Sequence, residues 1–204
     1  MNVLIVSKTR MHHGQCCVGG LTLEGKSIRL IMNNGNYPPE NTDLSPGFIY
    51  NMKFTSKSKI DPPHIEDVIV QSYDLVEPLQ VRMLDFIRNM GVPVWEGSPE
   101  ELFDGKLQWT DNGSGYINKA DIPTQSVGFW IPNQTLRKNI YYKKTRYSCN
   151  SNDTWYNIPY IGYDDAVKII PAGTLIRVSL ARWWDQMGTT ELRCPLQLSG
   201  WYDR

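Results

Sequence analysis

Apolar and polar positions along this chain alternate with a period of two or gather in short unbroken runs, repeatedly interrupted by Gly, Pro, Asn and Asp. That is the pattern of many short strands. Residues 2–6 form a short apolar run suited to a buried strand. Residues 15–22 and 27–32 flank Leu23-Glu24-Gly25-Lys26, a hairpin turn in which Gly25 can supply a positive φ. Gly19-Gly20 lies inside the first of these strands, where glycine marks a bulge or sharp bend. Residues 33–47, rich in Asn, Gly and Pro, form a surface loop. Strands follow at 48–56 and 65–73, separated by 57–64 with its Pro62-Pro63 break. Five strands, one bent at glycine, predict a small OB- or SH3-like barrel.

The pattern then changes period. Leu79, Met83, Phe86, Ile87 and Met90 form one apolar stripe and predict a helix over 78–90. Pro78 suits its first turn and Gly91 its left-handed cap. Beyond it, residues 93–128 hold Trp95, Trp109, Tyr116 and many turn formers. Strands are predicted at 126–132, 139–148, 174–181 and 191–201, and a short helix at 163–170 closed by Pro171. No internal repeat is visible.

Composition adds constraints. In 204 residues, 21 Lys and Arg balance 21 Asp and Glu. A general affinity for phosphate backbones shows as a basic excess, so any nucleic-acid face must come from local segregation of charge. The start has too few consecutive apolar residues for a signal peptide, and no stretch is long enough to span a membrane. Cys16, Cys17, Cys149 and Cys194 lack CxxC spacing and read as reduced thiols, which points to the cytoplasm.

Three segments carry a family resemblance. They are Ser7-Lys8-Thr9-Arg10 with Cys17-Val18-Gly19-Gly20 and Ser27-Ile28-Arg29-Leu30, then Pro62-Pro63-His64-Ile65-Glu66-Asp67-Val68, and finally Arg193-Cys194-Pro195-Leu196-Gln197-Leu198-Ser199-Gly200-Trp201-Tyr202. Together they resemble the dual-OB domain family, and the resemblance covers essentially the whole chain. Pro195 departs from the larger or aromatic residue expected there and removes a donor from the last strand. The resemblance implies two fused OB folds, a prokaryotic source, nucleic-acid binding and a defence-system setting. The expected fold is therefore mainly β: two small OB-like barrels joined through an amphipathic helix. The first barrel spans 1–76, the linking helix 77–92 and the second barrel 93–204.

Candidate chemistry centres on rings and cations. The chain holds seven tryptophans and eleven tyrosines. Tyr141-Tyr142-Lys143-Lys144-Thr145-Arg146-Tyr147 interleaves both kinds on a predicted strand. Alternation puts Tyr142, Lys144 and Arg146 on one face, and Tyr141, Lys143, Thr145 and Tyr147 on the other. A ring beside two cations is how OB surfaces hold single strands. Arg137, Lys138, Arg182 and Trp183 extend the patch, and Lys143 is counted with it. The competing reading is a solvated charged strand with tyrosines at its rim. In the pairs Trp183-Trp184 and Trp201-Tyr202, alternation exposes at most one ring each. Lys8, Arg10 and Arg29 form a second candidate group. Arg29, between Ile28 and Leu30, needs a phosphate or a carboxylate, with Glu66 and Asp67 the available acids.

Other chemistries are weaker. His64 and Glu66 would share a strand face as base and orienter or as metal ligands, although the prolines before them mark a strand start. His12-His13-Gly14-Gln15-Cys16-Cys17 has zinc-capable atoms in the wrong rhythm for a structural site. The chain has no GxxxxGKS, GxGxxG, HExxH or GxSxG. No catalytic residue, metal or cofactor is assigned. The leading expectation is a non-catalytic tandem-OB module binding single-stranded DNA or RNA, or structured nucleic acid, with no membrane partner. Two alternatives stay open: an adaptor with a protein partner, and a nucleotide-processing enzyme centred on His64 and Glu66.

Overall fold

A computed structural model describes residues 1–185 and 191–202; the last two positions of the expected second barrel, 203–204, lie outside the described residues. The chain divides into two compact units, one of Met1–Asp61 with Ile65–Pro93 and one of Pro62–His64 with Val94–Tyr202.

The first unit is a closed barrel of β1 (Asn2–Arg10), β2 (Cys16–Thr22), β3 (Ser27–Met32), β4 (Phe48–Ser56) and β5 (Asp67–Pro78). Its strand order is β1-β2-β3-β5-β4, with β4 closing on β1 and with β3 and β5 parallel. This is the five-stranded Greek-key order of an OB fold. Alternate apolar positions, among them Val3, Ile5, Val18, Ile28, Leu30, Tyr50, Met52 and Val68, fill its interior. The bend expected at Gly19-Gly20 sits opposite a register shift in β1 between Ile5 and Ser7. A Cβ on Gly20 would stand 2.6 Å from Val3 Cγ1, so only glycine lets the two strands close there. Gly25 has the expected positive φ, +81°.

Two boundaries differ from the expected ones. The first strand continues past Val6 to Arg10, because Ser7–Arg10 pair with Gly19, Val18, Cys17 and Cys16. The strand expected at 65–73 begins at Asp67 and runs to Pro78, which pairs with Phe48. Pro78 therefore ends a strand instead of opening a helix, and the helix α1 is shortened to Met83–Asn89. Its stripe is kept, with Met83 and Ile87 buried, and Gly91 takes φ +64° just beyond it.

The second unit is also β. A four-stranded sheet runs β12-β11-β10-β13, from β10 (Leu136–Tyr141), β11 (Lys144–Ser151), β12 (Thr154–Pro159) and β13 (Ile169–Ile170). A larger sheet, in the order β6-β9-β14-β16-β8-β7, is made by β6 (Val94–Gly97), β7 (Gln108–Trp109), β8 (Gly115–Asn118), β9 (Val127–Pro132), β14 (Leu175–Leu180) and β16 (Leu192–Tyr202), with β15 (Trp184–Asp185) paired to β16. Both sheets bury one core, in which Leu136, Tyr147, Tyr156 and Ile158 meet Trp130, Ile176, Val178 and Leu198. Residues 163–170 form no helix. Ile170 is instead drawn into this core opposite Leu136, so tertiary pairing overrides the local preference.

Candidate nucleic-acid interface

The segment expected as one strand over 139–148 is a hairpin. β10 ends at Tyr141 and β11 starts at Lys144, and these two residues face each other across the turn. The turn residues Tyr142 and Lys143 have φ +47° and +61°. Tyr142 therefore leaves the strand, and Tyr141 takes the place expected for it beside Lys144 and Arg146. Thr145 and Tyr147 point the other way, and Tyr147 is fully buried.

Register then defines one face of the four-stranded sheet. β10 contributes Arg137, Asn139 and Tyr141. β11 contributes Lys144, Arg146, Ser148 and Asn150, and β12 contributes Trp155, Asn157 and Pro159. Every one of these side chains is neutral or cationic. Arg137 and Lys144 are exposed, as are the rings of Tyr141 (40%) and Trp155 (48%). Lys138 lies on the opposite side of β10, and its Nζ donates to the Ala166 carbonyl at 3.1 Å.

Arg146 is the unusual member. Only 9% of it is exposed, so it is not a surface cation. Its Nη2 donates to the Asn157 carbonyl at 2.6 Å and to Ser114 Oγ. Its Nε–H is buried with no hydrogen-bond partner among the described residues. The Tyr141 ring lies 6.0 Å from its Cζ. Burial lowers its pKa, with the neighbouring Tyr141 the only opposing influence. A buried guanidinium held by neutral acceptors alone is costly, and an orphaned donor adds about 1–3 kcal/mol.

Arg29 differs in meeting a carboxylate, although its Nη2, like Arg146 Nε, is buried with no hydrogen-bond partner among the described residues. Its Nε contacts Asp67 Oδ1 at 2.6 Å, and Lys57 Nζ stands 3.6 Å from the other oxygen. Of the acids expected near Arg29, Asp67 is thus the one that its side chain meets. In the first unit Lys8 is buried, its Nζ donating to the Thr42 carbonyl at 3.1 Å, whereas Arg10 is exposed at the end of β1.

The remaining candidates lie elsewhere. Arg182 and Trp183 sit between β14 and β15, not on the β10–β12 face, and both are half-buried. The Trp183 Nε1 donates to the Pro62 carbonyl at 2.8 Å, and Lys119 Nζ lies 3.8 Å from its ring. Trp184 is exposed and Trp201 packs on Tyr160, at 5.3 Å between ring centroids. His64 and Glu66 precede β5, so the shared strand face does not exist. Both are buried, with His64 Nε2 3.6 Å from Cys194 Sγ and the Glu66 carbonyl accepting from Arg29 N. All four cysteines are free thiols, and no cluster of three or more His, Cys, Asp or Glu suited to a metal occurs among the described residues.

Sequence reasoning missed Tyr141, Trp155, Asn139 and Asn157. Asn152-Asp153, with φ +49° and +59°, is a turn signal that would have found Trp155. Nothing comparable marks Tyr142-Lys143.

A closed barrel in OB order in one unit and curved β sheets in the other fit two OB-like barrels in one chain. The sequence profile of the dual OB-containing domain matches residues 1–201, and the chain belongs to that family. Among solved structures, it is similar to the Ifi202 HINa domain in complex with 20-base-pair double-stranded DNA, at 12% identity and a TM-score of 0.37 over 97% of this chain and 96% of that chain. It is also similar to a murine DNA-binding protein bound with double-stranded DNA (11% identity, TM-score 0.34, 98% and 90% covered) and to the p204 HINb domain (11%, 0.36, 97% and 90%). No curated protein matches the chain.

Proposed function

We propose that the chain is a non-catalytic tandem-OB module that binds single-stranded or structured nucleic acid, with the β10–β12 face as its contact surface. The observation that carries this reading is Arg146, a buried cation that meets no carboxylate among the described residues, on a face with exposed Arg137, Lys144, Tyr141 and Trp155. A phosphate or base carbonyl reaching that face would meet the unmatched N–H, while the rings offer stacking surfaces. Local segregation of charge on this face reconciles the reading with a net charge of zero. The free cysteines agree with a cytoplasmic setting, and a role in prokaryotic defence is part of the same proposal.

The test is fluorescence anisotropy of labelled single strands and duplexes, DNA and RNA, with the full chain at low and moderate salt. Affinity should fall steeply with salt, and the double variant Arg137→Glu/Lys144→Glu should lose at least about tenfold. Unchanged affinity in that variant would remove this face from the proposal.

A protein partner is the second reading. Leu75 (57% exposed) and Val76 stand open near the end of β5 in the first unit, away from any cation–ring cluster described there. Co-purification with a protein and no nucleic acid would favour it.

A further inference from the structure

The four-stranded sheet contains two hairpins with the same two-residue turn and very different turn chemistry. Between β11 and β12 the central pair is Asn152-Asp153; between β10 and β11 it is Tyr142-Lys143. All four residues have φ between +47° and +61°. Turns of this hand favour Asn, Asp and Gly, which tolerate the left-handed region, and a bulky ring is a poor occupant. The sheet therefore follows the rule at one end and breaks it at the other, on the shared strand β11.

What breaks the rule is also the most exposed large hydrophobic side chain described. Tyr142 is 83% exposed and Ile140 is 71% exposed. The Tyr141 ring packs edge-on against Tyr142, with centroids 4.5 Å apart, and so holds it at the tip. Lys143, in the turn, and Lys144, at the start of β11, follow it. No core contact repays this arrangement, and strained backbone that carries no packing is typical of a contact element.

We propose that this hairpin tip is a wedge that inserts Tyr142 into a base stack, with Lys143 and Lys144 on the neighbouring phosphates. The inference rests on the nucleic-acid reading of the face behind it. Aromatic and apolar wedges act this way by parting a base step, and cations beside them hold the opened backbone. An acyl-chain target fits the tip less well. The sheet surface behind it presents Arg137, Asn139 and Asn150, which are hydrogen-bonding groups suited to a polar ligand.

The experiment uses the full chain, a thymine-rich DNA duplex bearing a single-stranded arm, and the matching RNA. Anisotropy reads affinity, permanganate reactivity of thymine or uracil reads unstacking, and thermal melting reads the fold. The wild type should raise reactivity at defined positions. Tyr142→Ala should abolish that rise while affinity falls no more than about tenfold, because the Arg137–Lys144 face remains. Tyr142→Phe should keep the rise. The double variant Tyr142→Asn/Lys143→Gly supplies the favoured turn chemistry, so its Tm should increase while unstacking is lost. Retained unstacking in either the Ala or the double variant would overturn the wedge, as would a lower Tm in the double variant, which would make the tip a structural element. Wild-type chain with no affinity for any of these probes would overturn the nucleic-acid reading itself. Co-sedimentation with phosphatidylserine vesicles that depends on Tyr142, with unstacking unaffected, would replace the wedge with a membrane contact.

Discussion

The Arg146 guanidinium donates to the backbone carbonyl of Asn157 at 2.6 Å, across the β11–β12 pair, and meets no carboxylate among the described residues. The fold thus carries a desolvated positive charge that its own acids do not neutralise. If the charge serves a ligand, replacing it should cost binding far more than folding. Arg146→Met preserves volume and removes the buried charge, so stability in urea should change by less than about 2 kcal/mol. Affinity for a single-stranded probe should fall at least about tenfold, which corresponds to about 1.4 kcal/mol. Arg146→Lys keeps the charge but not the planar fork and should recover only part of it. A methionine variant that binds normally would make Arg146 purely structural.

The buried pair Arg29–Asp67 should behave in the opposite way. Removing one partner strands the other, so Asp67→Ala should destabilise the first unit by about 3–5 kcal/mol. The double variant Arg29→Met/Asp67→Leu should recover most of that loss, and neither should alter affinity by way of the β10–β12 face. Unfolding must be followed by far-UV circular dichroism, because all seven tryptophans lie in the second unit and would not report on the first. A double variant as unstable as the single one would show that the carboxylate does more than balance Arg29.

How far all this was legible in the sequence depends on the range of the interaction concerned. Gly25 and Gly91 announce their positive φ locally, and the alternation of the first 75 residues is enough to give a five-stranded barrel. The Met83–Ile87 stripe survives although the helix around it is shorter, because Pro78 is claimed by pairing with Phe48, thirty residues earlier. The hairpin at Tyr142-Lys143 was unreadable for a different reason: the turn contains none of the residues that normally signal one. Period-two alternation runs straight through it and puts Tyr142 where Tyr141 belongs. The burial of Arg146 depends on Ser114 and Asn157, and no local pattern encodes either contact.

Alkaline pH should destabilise the second unit, because it buries acids that must stay protonated. Burial pushes the Cys149 thiol from 9.0 to about 11 and the Tyr147 hydroxyl from 10.0 to about 12. Burial, with the Glu100 carboxylate accepting its hydrogen bond at 2.7 Å, raises Tyr156 to about 12 as well. For each acid the folded value lies above the ordinary one. The stability it contributes is therefore complete below about pH 9 and is lost between about pH 9 and pH 12. Tryptophan-detected urea midpoints should be level up to pH 8.5 or so and then fall, each group adding up to about 1.4 kcal/mol per pH unit. Tyr147→Phe should flatten the upper part of that fall. At neutral pH it should cost only about 1 kcal/mol, for the hydrogen bond to the Val167 carbonyl. A wild-type profile that stays level to pH 11 would contradict the burial of these groups.

Cations and rings on the β10–β12 face should leave different signatures in binding. Lys144 and Arg137 are exposed and free to release counterions, so each alanine substitution should lower the slope of log affinity against log salt by about 0.7–0.9. Tyr141 and Trp155 carry no charge, so their alanine variants should leave the slope intact and weaken binding by about 1–3 kcal/mol each. Tyr141 faces Lys144 and Trp155 faces Asn150 on the same strand. Six residue steps at about 3.3 Å put the two rings about 20 Å apart. A bound strand must therefore be long enough to reach both. Shortening a single-stranded probe should abolish the effect of one ring variant before the other, at a length where the slope set by Lys144 and Arg137 still persists. Ring variants that change the salt slope, or that fail together at every probe length, would mean that the two aromatics do not grip one strand along this face.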